Sequence, residues 1–191
     1  MQTVNINEVK NRFLEIVDRF KNDALYPKFV ARIGKHKLTR DENPTSHFCV
    51  YFAGFDAKAK KVFIGHHKKS GLWLFNGGHI DKGETSEQAL RREMEEEWGE
   101  TVDLQIIGEP KLLTITTIVN PVIKCKKHFD IWYFVPLSEI SFQPNQLLLE
   151  TEFYVTAWKD IDEAKKLITD PNTQKALTEF ENIFKKDDKN S

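Results

Sequence analysis

The sequence is poor in cysteine, has no excess of either charge and contains no long apolar run. Its two cysteines, Cys49 and Cys125, are far apart and lack metal-ligand spacing, which favours free thiols in a reducing compartment. A net charge of −1 gives no basic surplus for nucleic acid or anionic lipid. No stretch approaches membrane-spanning length, and charges interrupt the apolar run that a signal peptide needs. We therefore expect a cytoplasmic protein that binds neither membrane nor nucleic acid.

What the sequence does contain is enough apolar material for one sizeable core. Hydrophobic residues make up 40% of the 191 residues and include 14 phenylalanines, while charged residues make up 30%. This composition is that of an ordinary globular protein with one domain or a domain and an extension. We predict an N-terminal helical extension over residues 1–45, a main domain over 46–184 and a frayed tail over 185–191.

The N-terminal part is predicted to form one amphipathic helix over residues 5–24. Apolar residues recur there at helical spacing, namely Ile6, Val9, Phe13, Ile16, Val17 and Phe20. Asn5 and Glu8 have the spacing of a capping box, and Pro27 follows the predicted end. Residues 28–45 are polar and mixed, which favours a connection. The apolar face of this helix must pack on the chain's own core or on a second copy.

The main domain is predicted to consist mostly of strands. Segments rich in β-branched and aromatic residues alternate with polar turns, and they read SHFCVYFA, KVFIG, LWLF, VDLQII, KLLTITTIV, HFDIWYFV and EFYVTAW. We predict one acidic helix among these strands. Two further helices are predicted after the last strand, over KDIDEAKKLI and from Asp170, with Pro171 in the first turn. The pattern indicates an α+β fold with a mixed β-sheet core flanked by helices.

The acidic helix is predicted over residues 86–98. Thr85 and Gln88 have capping-box spacing, and Gly99 suits the position after the last turn. At about 100° per residue, three carboxylates fall on one face beside an apolar stripe that must be buried, while a fourth points to solvent. The carboxylates are Glu93, Glu96 and Glu97, the stripe is Leu90, Met94 and Trp98, and the solvated residue is Glu95.

Two interpretations of this acidic face are open. It is either a solvated helix surface or a site for a hard divalent cation such as Mg²⁺ or Mn²⁺, which prefers oxygen ligands. Gly77 and Gly78 precede the helix, and glycine lets the backbone approach a ligand closely, so a carbonyl there could join the coordination shell. Arg92 stands four residues before Glu96, and a planar guanidinium can hold a carboxylate in one orientation.

The same residues resemble the Nudix box. Gly78, five residues, Glu84, seven residues and then REMEEEWG from Arg92 to Gly99 match its fixed positions. The last position departs from the pattern, because Glu100 replaces an aliphatic residue.

The flanking residues also resemble Nudix hydrolases. GLWLFNGGHIDKGET is similar to the family's entry to the box, with Asn76 where proline is common, and Val102 is expected to take the packing role that Glu100 cannot fill. The resemblance covers roughly residues 46–183 and implies the Nudix fold, an α/β/α sandwich.

The resemblance also implies an activity and assigns roles. Nudix hydrolases cleave a diphosphate that links a nucleoside, usually, to another moiety, and they use Mg²⁺ or Mn²⁺. Carried over, the metal ligands are Glu93, Glu96, Glu97 and the carbonyl of Gly78, and Glu84 and Arg92 form a supporting pair. The general base varies within the family, so we consider Glu96, Glu150 and Glu152.

Residues outside the box give further expectations. Arg40, Lys68 and His79 are candidates for substrate binding, although simple solvation is an equal alternative for the lysine. His66 and His67 are expected at the surface, and Trp73 and Phe75 in the core rather than stacked on a base. His128 is as readily structural as functional.

The expected substrate is a nucleoside diphosphate joined to another moiety, of the sugar-linked or ADP-ribose type. This preference rests on a possible homodimer through Phe13, Val17 and Phe20, because dimeric family members often act on such compounds. The alternatives are a nucleoside triphosphate pyrophosphohydrolase of the house-cleaning type and a binding module without catalysis. An isoprenoid diphosphate isomerase would need a catalytic cysteine such as Cys49 but also a differently spaced box.

Overall fold

The computed structural model describes residues 6–119, 122 and 124–190, with seven helices and seven strands among them. In chain order they are α1 (Ile6–Asp18), α2 (Tyr26–Gly34), β1 (Ser46–Asp56), β2 (Lys61–His67), β3 (Trp73–Leu74), β4 (Asn76–His79), α3 (Ser86–Trp98), α4 (Leu104–Ile107), β5 (Leu112–Thr117), β6 (Lys127–Pro136), α5 (Gln146–Glu152), β7 (Phe153–Asp160), α6 (Ile161–Leu167) and α7 (Pro171–Asn190).

The strands form one seven-stranded sheet in the order β3-β2-β1-β6-β5, with β4 paired to β1 and β7 paired to β2. The pairs β1/β2, β2/β3, β2/β7 and β5/β6 are antiparallel. The predicted α+β class, with a mixed sheet flanked by helices, is confirmed.

Contacts group the chain into two compact units. The first unit comprises residues 1–51, 77–92 and 109–132, and the second comprises 52–76, 93–108 and 133–191. Strands β1, β4 and β6 and helix α3 contribute residues to both.

The N-terminal helix is shorter than predicted. Helix α1 ends at Asp18 rather than near residue 24, and α2 occupies part of the predicted connection. The prediction failed because Pro27 lies in the first turn of α2, where its missing N–H costs nothing, so the proline begins a helix instead of marking the end of one. The predicted capping box includes Asn5, which lies outside the described residues.

The apolar face of α1 is buried within the first unit. Phe13 and Val17 are 0% exposed in the single chain, and the ring of Phe13 packs edge-on against Phe48 at 4.8 Å. Phe29 of α2 contacts the same Phe48 ring at 5.8 Å. The face therefore packs on the chain's own core, so Phe13 and Val17 are not exposed to a second copy. The homodimer itself stays a prediction. Phe20, also predicted at that contact, is only half-buried.

Two helices interrupt the strands where none was predicted. Segment 102–107 was predicted as a strand, but α4 forms because Asp103 accepts a hydrogen bond from the Gln105 N–H at 2.8 Å and caps the helix. Gly108 ends it at φ 70°. Helix α5 lies between β6 and β7 and is capped by Asn145, whose side chain accepts from Leu147 N at 3.0 Å.

The remaining elements agree with the sequence patterns. Strands β1, β2, β3, β5, β6 and β7 overlap the segments predicted for them, although β1 runs three residues further, to Asp56, and α6 lies within its predicted segment. The Asp170 carboxylate caps α7 by accepting from Thr173 N at 2.7 Å, and α7 extends to Asn190, through most of the predicted tail. Its Phe180 stacks on Phe134 at 4.3 Å and contacts Phe75, so Phe75 is a core residue as expected.

Strand β4 requires a glycine where it pairs with β1. A Cβ at Gly77 would lie 2.5 Å from the carbonyl oxygen of Val50 and 2.9 Å from the ring of Tyr51. A backbone oxygen at that distance cannot move aside without disturbing the strand pairing. The glycine therefore allows β4 to lie directly against β1.

We expect Gly77→Ala to lower the free energy of unfolding by about 1–3 kcal/mol, the usual cost of overpacking. Gly34→Ala is the matched control, because a Cβ there meets nothing within 4 Å and Gly34 ends a helix. The control should change stability by less than about 1 kcal/mol. Urea denaturation of both variants checks this, and equal midpoints would contradict the close approach.

Candidate active site

Helix α3 has the predicted bounds and the predicted ends. The Thr85 N–H donates to Gln88 Oε1 at 2.8 Å, and the Gln88 N–H donates to Thr85 Oγ1 at 3.3 Å, which completes the capping box. At the other end Gly99 has φ 74°, and its N–H donates to the carbonyl of Glu95 at 3.0 Å. The apolar stripe of Leu90, Met94 and Trp98 is buried as expected.

The acidic face of α3 divides into buried and exposed carboxylates. Glu93 and Glu97, one helical turn apart, are only 8% and 7% exposed. Glu95 and Glu96 are exposed. Burying two like charges one turn apart is costly unless partners compensate for it, so this face is not a plain solvated surface.

Asn76 supplies one partner of the buried pair. Its side-chain Nδ2 donates to Glu97 Oε2 at 2.5 Å, and Asn76 is itself buried. A proline at this position, as is common in the family, has no side-chain donor. The departure from the usual motif thus places a hydrogen-bond donor on one of the buried carboxylates.

Arg92 ties the loop before α3 to the helix within the first unit. Its Nε donates to Glu84 Oε1 at 2.8 Å, and its Nη2 donates to Glu84 Oε2 at 2.9 Å and to the carbonyl of His79 at 2.9 Å. Burial alone would raise the pKa of Glu84, but hydrogen bonds from Arg92 and from the Asp81 N–H lower it overall. The carboxylate therefore stays ionised, and the guanidinium holds loop and helix in one arrangement.

Two of the three predicted substrate-binding residues lie together in the first unit. Arg40 Nη1 lies 3.4 Å from Nδ1 of His79, and its Nη2 lies 4.0 Å from the Asp81 carboxylate. The third, Lys68, belongs to the second unit, where its Nζ donates to the carbonyl of Glu150 and lies 5.8 Å from the ring centre of Tyr154.

The two predicted base candidates outside the box have different surroundings. Glu150 is exposed on α5. The Glu152 carboxylate accepts from Lys69 Nζ at 2.8 and 2.9 Å and lies 3.5 Å from Nε2 of His67. Burial opposes ionisation of Glu152, but the hydrogen bond and charge of Lys69, together with the contact to His67, lower its pKa overall. A carboxylate with a lowered pKa is a weaker base.

We expect Glu152→Gln to change kcat by less than about fivefold, the equivalent of the 1 kcal/mol that a surface ion pair contributes at most. Glu152 is replaced by an isosteric amide, so only the contacts of its charge with Lys69 and His67 are altered. Steady-state kinetics checks the expectation. A loss of several hundredfold would instead identify Glu152 as the base.

A cluster of three histidines and one cysteine lies in the first unit and was not predicted from the sequence. His47, Cys49, His79 and His128 each offer a ligand atom, and these atoms lie within 4.8 Å of one another. One local signal for the cluster is present in the sequence, since His47 and Cys49 are two residues apart and must share a face of an extended strand. His79 and His128 join the cluster through the pairing of strands that are far apart in the chain, which no short sequence segment indicates. We call these four residues the histidine–cysteine cluster.

Comparison with known proteins decides the family. A model of the NUDIX domain matches residues 41–180. The chain belongs to the Nudix family. It is accordingly a Nudix hydrolase, an enzyme that acts on phosphoric anhydride bonds.

Solved structures with the Nudix fold resemble this chain at low identity. A Nudix hydrolase from Listeria monocytogenes matches with a TM-score of 0.53 and 18% identity, covering 74% of this chain and 96% of that one. The Escherichia coli dihydroneopterin triphosphate pyrophosphohydrolase matches with a TM-score of 0.50 and 19% identity, covering 70% and 93%. The Caenorhabditis elegans Ap4A hydrolase matches with a TM-score of 0.50 and 16% identity, covering 72% and 96%. At such identities the likeness shows the fold alone.

The donor set on α3 fits the divalent cation that Nudix hydrolases generally use. Glu93, Glu96 and Glu97 offer hard oxygen atoms, two of them from buried carboxylates whose mutual repulsion a cation would relieve. Among the described residues, no helix has the length and apolar character needed to cross a membrane.

Proposed function

We propose that this Nudix hydrolase cleaves the diphosphate of a nucleoside diphosphate joined to another moiety, with Mg²⁺ or Mn²⁺ held by Glu93, Glu96 and Glu97. The observation that carries the proposal is the burial of Glu93 and Glu97 one turn apart on α3. Mg²⁺ or Mn²⁺, when bound, polarises phosphoryl oxygens and lowers the pKa of a coordinated water. The carbonyl of Gly78 is proposed as a further ligand.

The protein's own residues then have separate tasks. Asn76 fixes one oxygen of the Glu97 carboxylate through its side-chain amide. The Arg92–Glu84 pair positions the end of β4, which carries Gly78 and His79, through the hydrogen bond to the His79 carbonyl. Arg40, which lies in contact with His79, is proposed to bind the anionic substrate. Charge-assisted hydrogen bonds of this kind favour phosphate oxygens.

Glu96 is the proposed general base. It is exposed on the metal-binding helix, so its carboxylate is accessible to a water molecule. The lowered pKa of Glu152 makes that carboxylate a weaker base than an ordinary glutamate. Glu150 is the competing candidate, because it is also exposed. The pH dependence of kcat/KM in Glu150→Gln separates them, since a profile that keeps its acidic limb excludes Glu150 as the base.

Two kinds of moiety joined to the nucleoside diphosphate are candidates, namely a sugar and a further phosphate. The preference for sugar-linked substrates depended on a dimer through Phe13 and Val17, and those residues are buried within the chain. A nucleoside triphosphate is therefore an equal candidate, since it is also a nucleoside diphosphate extended by one group. Related folds serve both the triphosphate and the dinucleoside classes.

A substrate panel tests the activity. The full chain is incubated with Mg²⁺ and with ADP-ribose, a nucleoside diphosphate sugar, a nucleoside triphosphate and a dinucleoside polyphosphate, and the products are separated by chromatography. We expect one class to be cut at an anhydride bond, with label from isotopically enriched water in one phosphate product. Calorimetric binding without turnover in every case, with Mg²⁺ or Mn²⁺, would show a binding module instead.

A further inference from the structure

The histidine–cysteine cluster is assembled from three strands. His47 and Cys49 lie two residues apart on β1, so their side chains share one face of the sheet. His79 ends β4, which pairs with β1. His128 lies on β6, which is also a neighbour of β1 in the sheet. The rings of His47, His79 and His128 are mutually packed, with centroid distances of 4.8, 4.9 and 5.1 Å.

Hydrogen bonds prepare the ring of His47 for a ligand role. Its Nδ1 lies 3.0 Å from the carbonyl oxygen of Asn43, which fixes the tautomer with the proton on Nδ1 and the lone pair on Nε2. A backbone carbonyl behind a histidine is the usual arrangement around metal-bound imidazole. On the other side of the cluster, the buried Nε2 of His128 has no hydrogen-bond partner among the described residues. A buried polar nitrogen without a partner is costly, and a coordinated cation would satisfy it.

Charge around the cluster favours neutral imidazoles over imidazolium ions. Burial and the two neighbouring histidines lower the pKa of His128 to about 3. Burial, opposed by the Asn43 hydrogen bond and assisted by Arg40 and Arg32, lowers the pKa of His47. The same guanidinium groups disfavour a bare divalent cation, so a thiolate from Cys49 is needed to offset its charge.

We propose that His47, Cys49, His79 and His128 form a second metal site, selective for a borderline-soft transition cation of the Zn²⁺ type and separate from the carboxylates of α3. Three imidazoles and one thiolate are the ligand types that Zn²⁺ takes in tetrahedral geometry. Tetrahedral zinc with N and S ligands at about 2.0–2.3 Å has its ligand atoms roughly 3.3–3.8 Å apart. The four atoms here lie within 4.8 Å of one another, so closing the site requires only small side-chain movements.

The competing interpretation is a packed aromatic cluster without metal. Cys125 Sγ lies 3.6 Å from Nε2 of His47 and is the natural hydrogen-bond partner in that case. The two interpretations differ in which thiol matters. A metal site depends on Cys49, whereas an uncharged cluster depends on the Cys125–His47 contact.

Cobalt substitution tests the proposal without reference to activity. The full chain, stripped with a chelator, is titrated with Co²⁺, which reports on Zn²⁺ sites through its absorption. We expect saturable visible bands of tetrahedral cobalt and a thiolate-to-cobalt charge-transfer band, both abolished by Zn²⁺. Cys49→Ser should lose the charge-transfer band and weaken Zn²⁺ binding by about 100-fold or more, since even outer-shell changes cost 10- to 100-fold.

Two matched variants serve as controls. His66→Ala removes a histidine that contacts Trp73 and the carbonyl of Gly71 instead of the cluster, and the bands should be unchanged. Glu97→Gln should also leave the charge-transfer band unchanged, because carboxylate sites give no such band. The second control keeps this result distinct from any failure of the proposed hydrolase activity.

Two outcomes would overturn the site. The first is wild-type protein that shows no thiolate-to-cobalt band at saturating Co²⁺, a result that does not depend on the folding of any variant. The second is a band that persists in Cys49→Ser and disappears in Cys125→Ala, which would show that the thiolate ligand is Cys125 and not Cys49.

Discussion

Replacing Glu97 with glutamine is expected to lower kcat by about 10²–10³, the range observed when one electrostatic stabiliser of a transition state is removed. Glutamine keeps the size and helix propensity of glutamate, and its side-chain oxygen can still accept the hydrogen bond from Asn76. What is lost is one of two buried negative charges on the face proposed to hold the cation. Steady-state kinetics at saturating Mg²⁺ measures the effect.

Glu95→Gln is the matched control for this experiment. Glu95 is exposed on the opposite side of α3, and its replacement removes the same charge from the same helix. Its kcat should stay near the wild-type value. Without metal, Glu97→Gln should also unfold at the same or a higher urea concentration, because repulsion between the two buried carboxylates is relieved. Equal losses of activity in the two variants would refute the division of the helix into faces.

Replacing Arg92 with lysine is expected to lower kcat/KM by about 10- to 100-fold, the usual effect of removing a group that orients metal ligands. Lysine keeps the charge but cannot bond both oxygens of Glu84 and the His79 carbonyl with one planar group. The end of β4 that carries Gly78 would lose its fixed orientation, while the helix caps and buried stripe of α3 remain.

Arg91→Lys is the control, because Arg91 is the exposed neighbour of Arg92 on the same helix. Circular dichroism of both variants should match the wild-type spectrum. Wild-type turnover in Arg92→Lys would show that only the positive charge matters there and that the forked hydrogen bonds have no orienting role.

Local signals allowed some elements to be predicted and not others. Helix α3 was predicted to the residue because both of its ends are encoded nearby, by the Thr85–Gln88 box and by Gly99. Helices α2 and α4 were missed because their signals have two meanings. Pro27 can follow one helix or begin another, and VDLQII has strand composition although Asp103 and Gly108 cap it as a helix.

The candidate site shows the same limit. The acidic face and the Arg92–Glu84 pair follow from spacing within one segment, so they could be proposed from the sequence. The role of Asn76 could not, because its hydrogen bond to Glu97 depends on how β4 meets α3. The histidine–cysteine cluster was missed for a related reason. Its members come together only through pairing of strands that are far apart in the chain.

The loop between β4 and α3 is preorganised. Arg92 closes it by holding His79 and Glu84, and within it the Asp81 N–H donates to the Glu84 carboxylate at 2.9 Å while the Glu84 N–H donates to the Asp81 carbonyl at 3.1 Å. Ordering a backbone costs about 1–2 kcal/mol per residue in conformational entropy, and here that loss occurs during folding. A ligand that binds this loop therefore meets a conformation already selected, and its affinity is not reduced by ordering the chain. The amide hydrogens of Asp81 and Glu84 should accordingly exchange slowly with solvent even before any nucleotide is added.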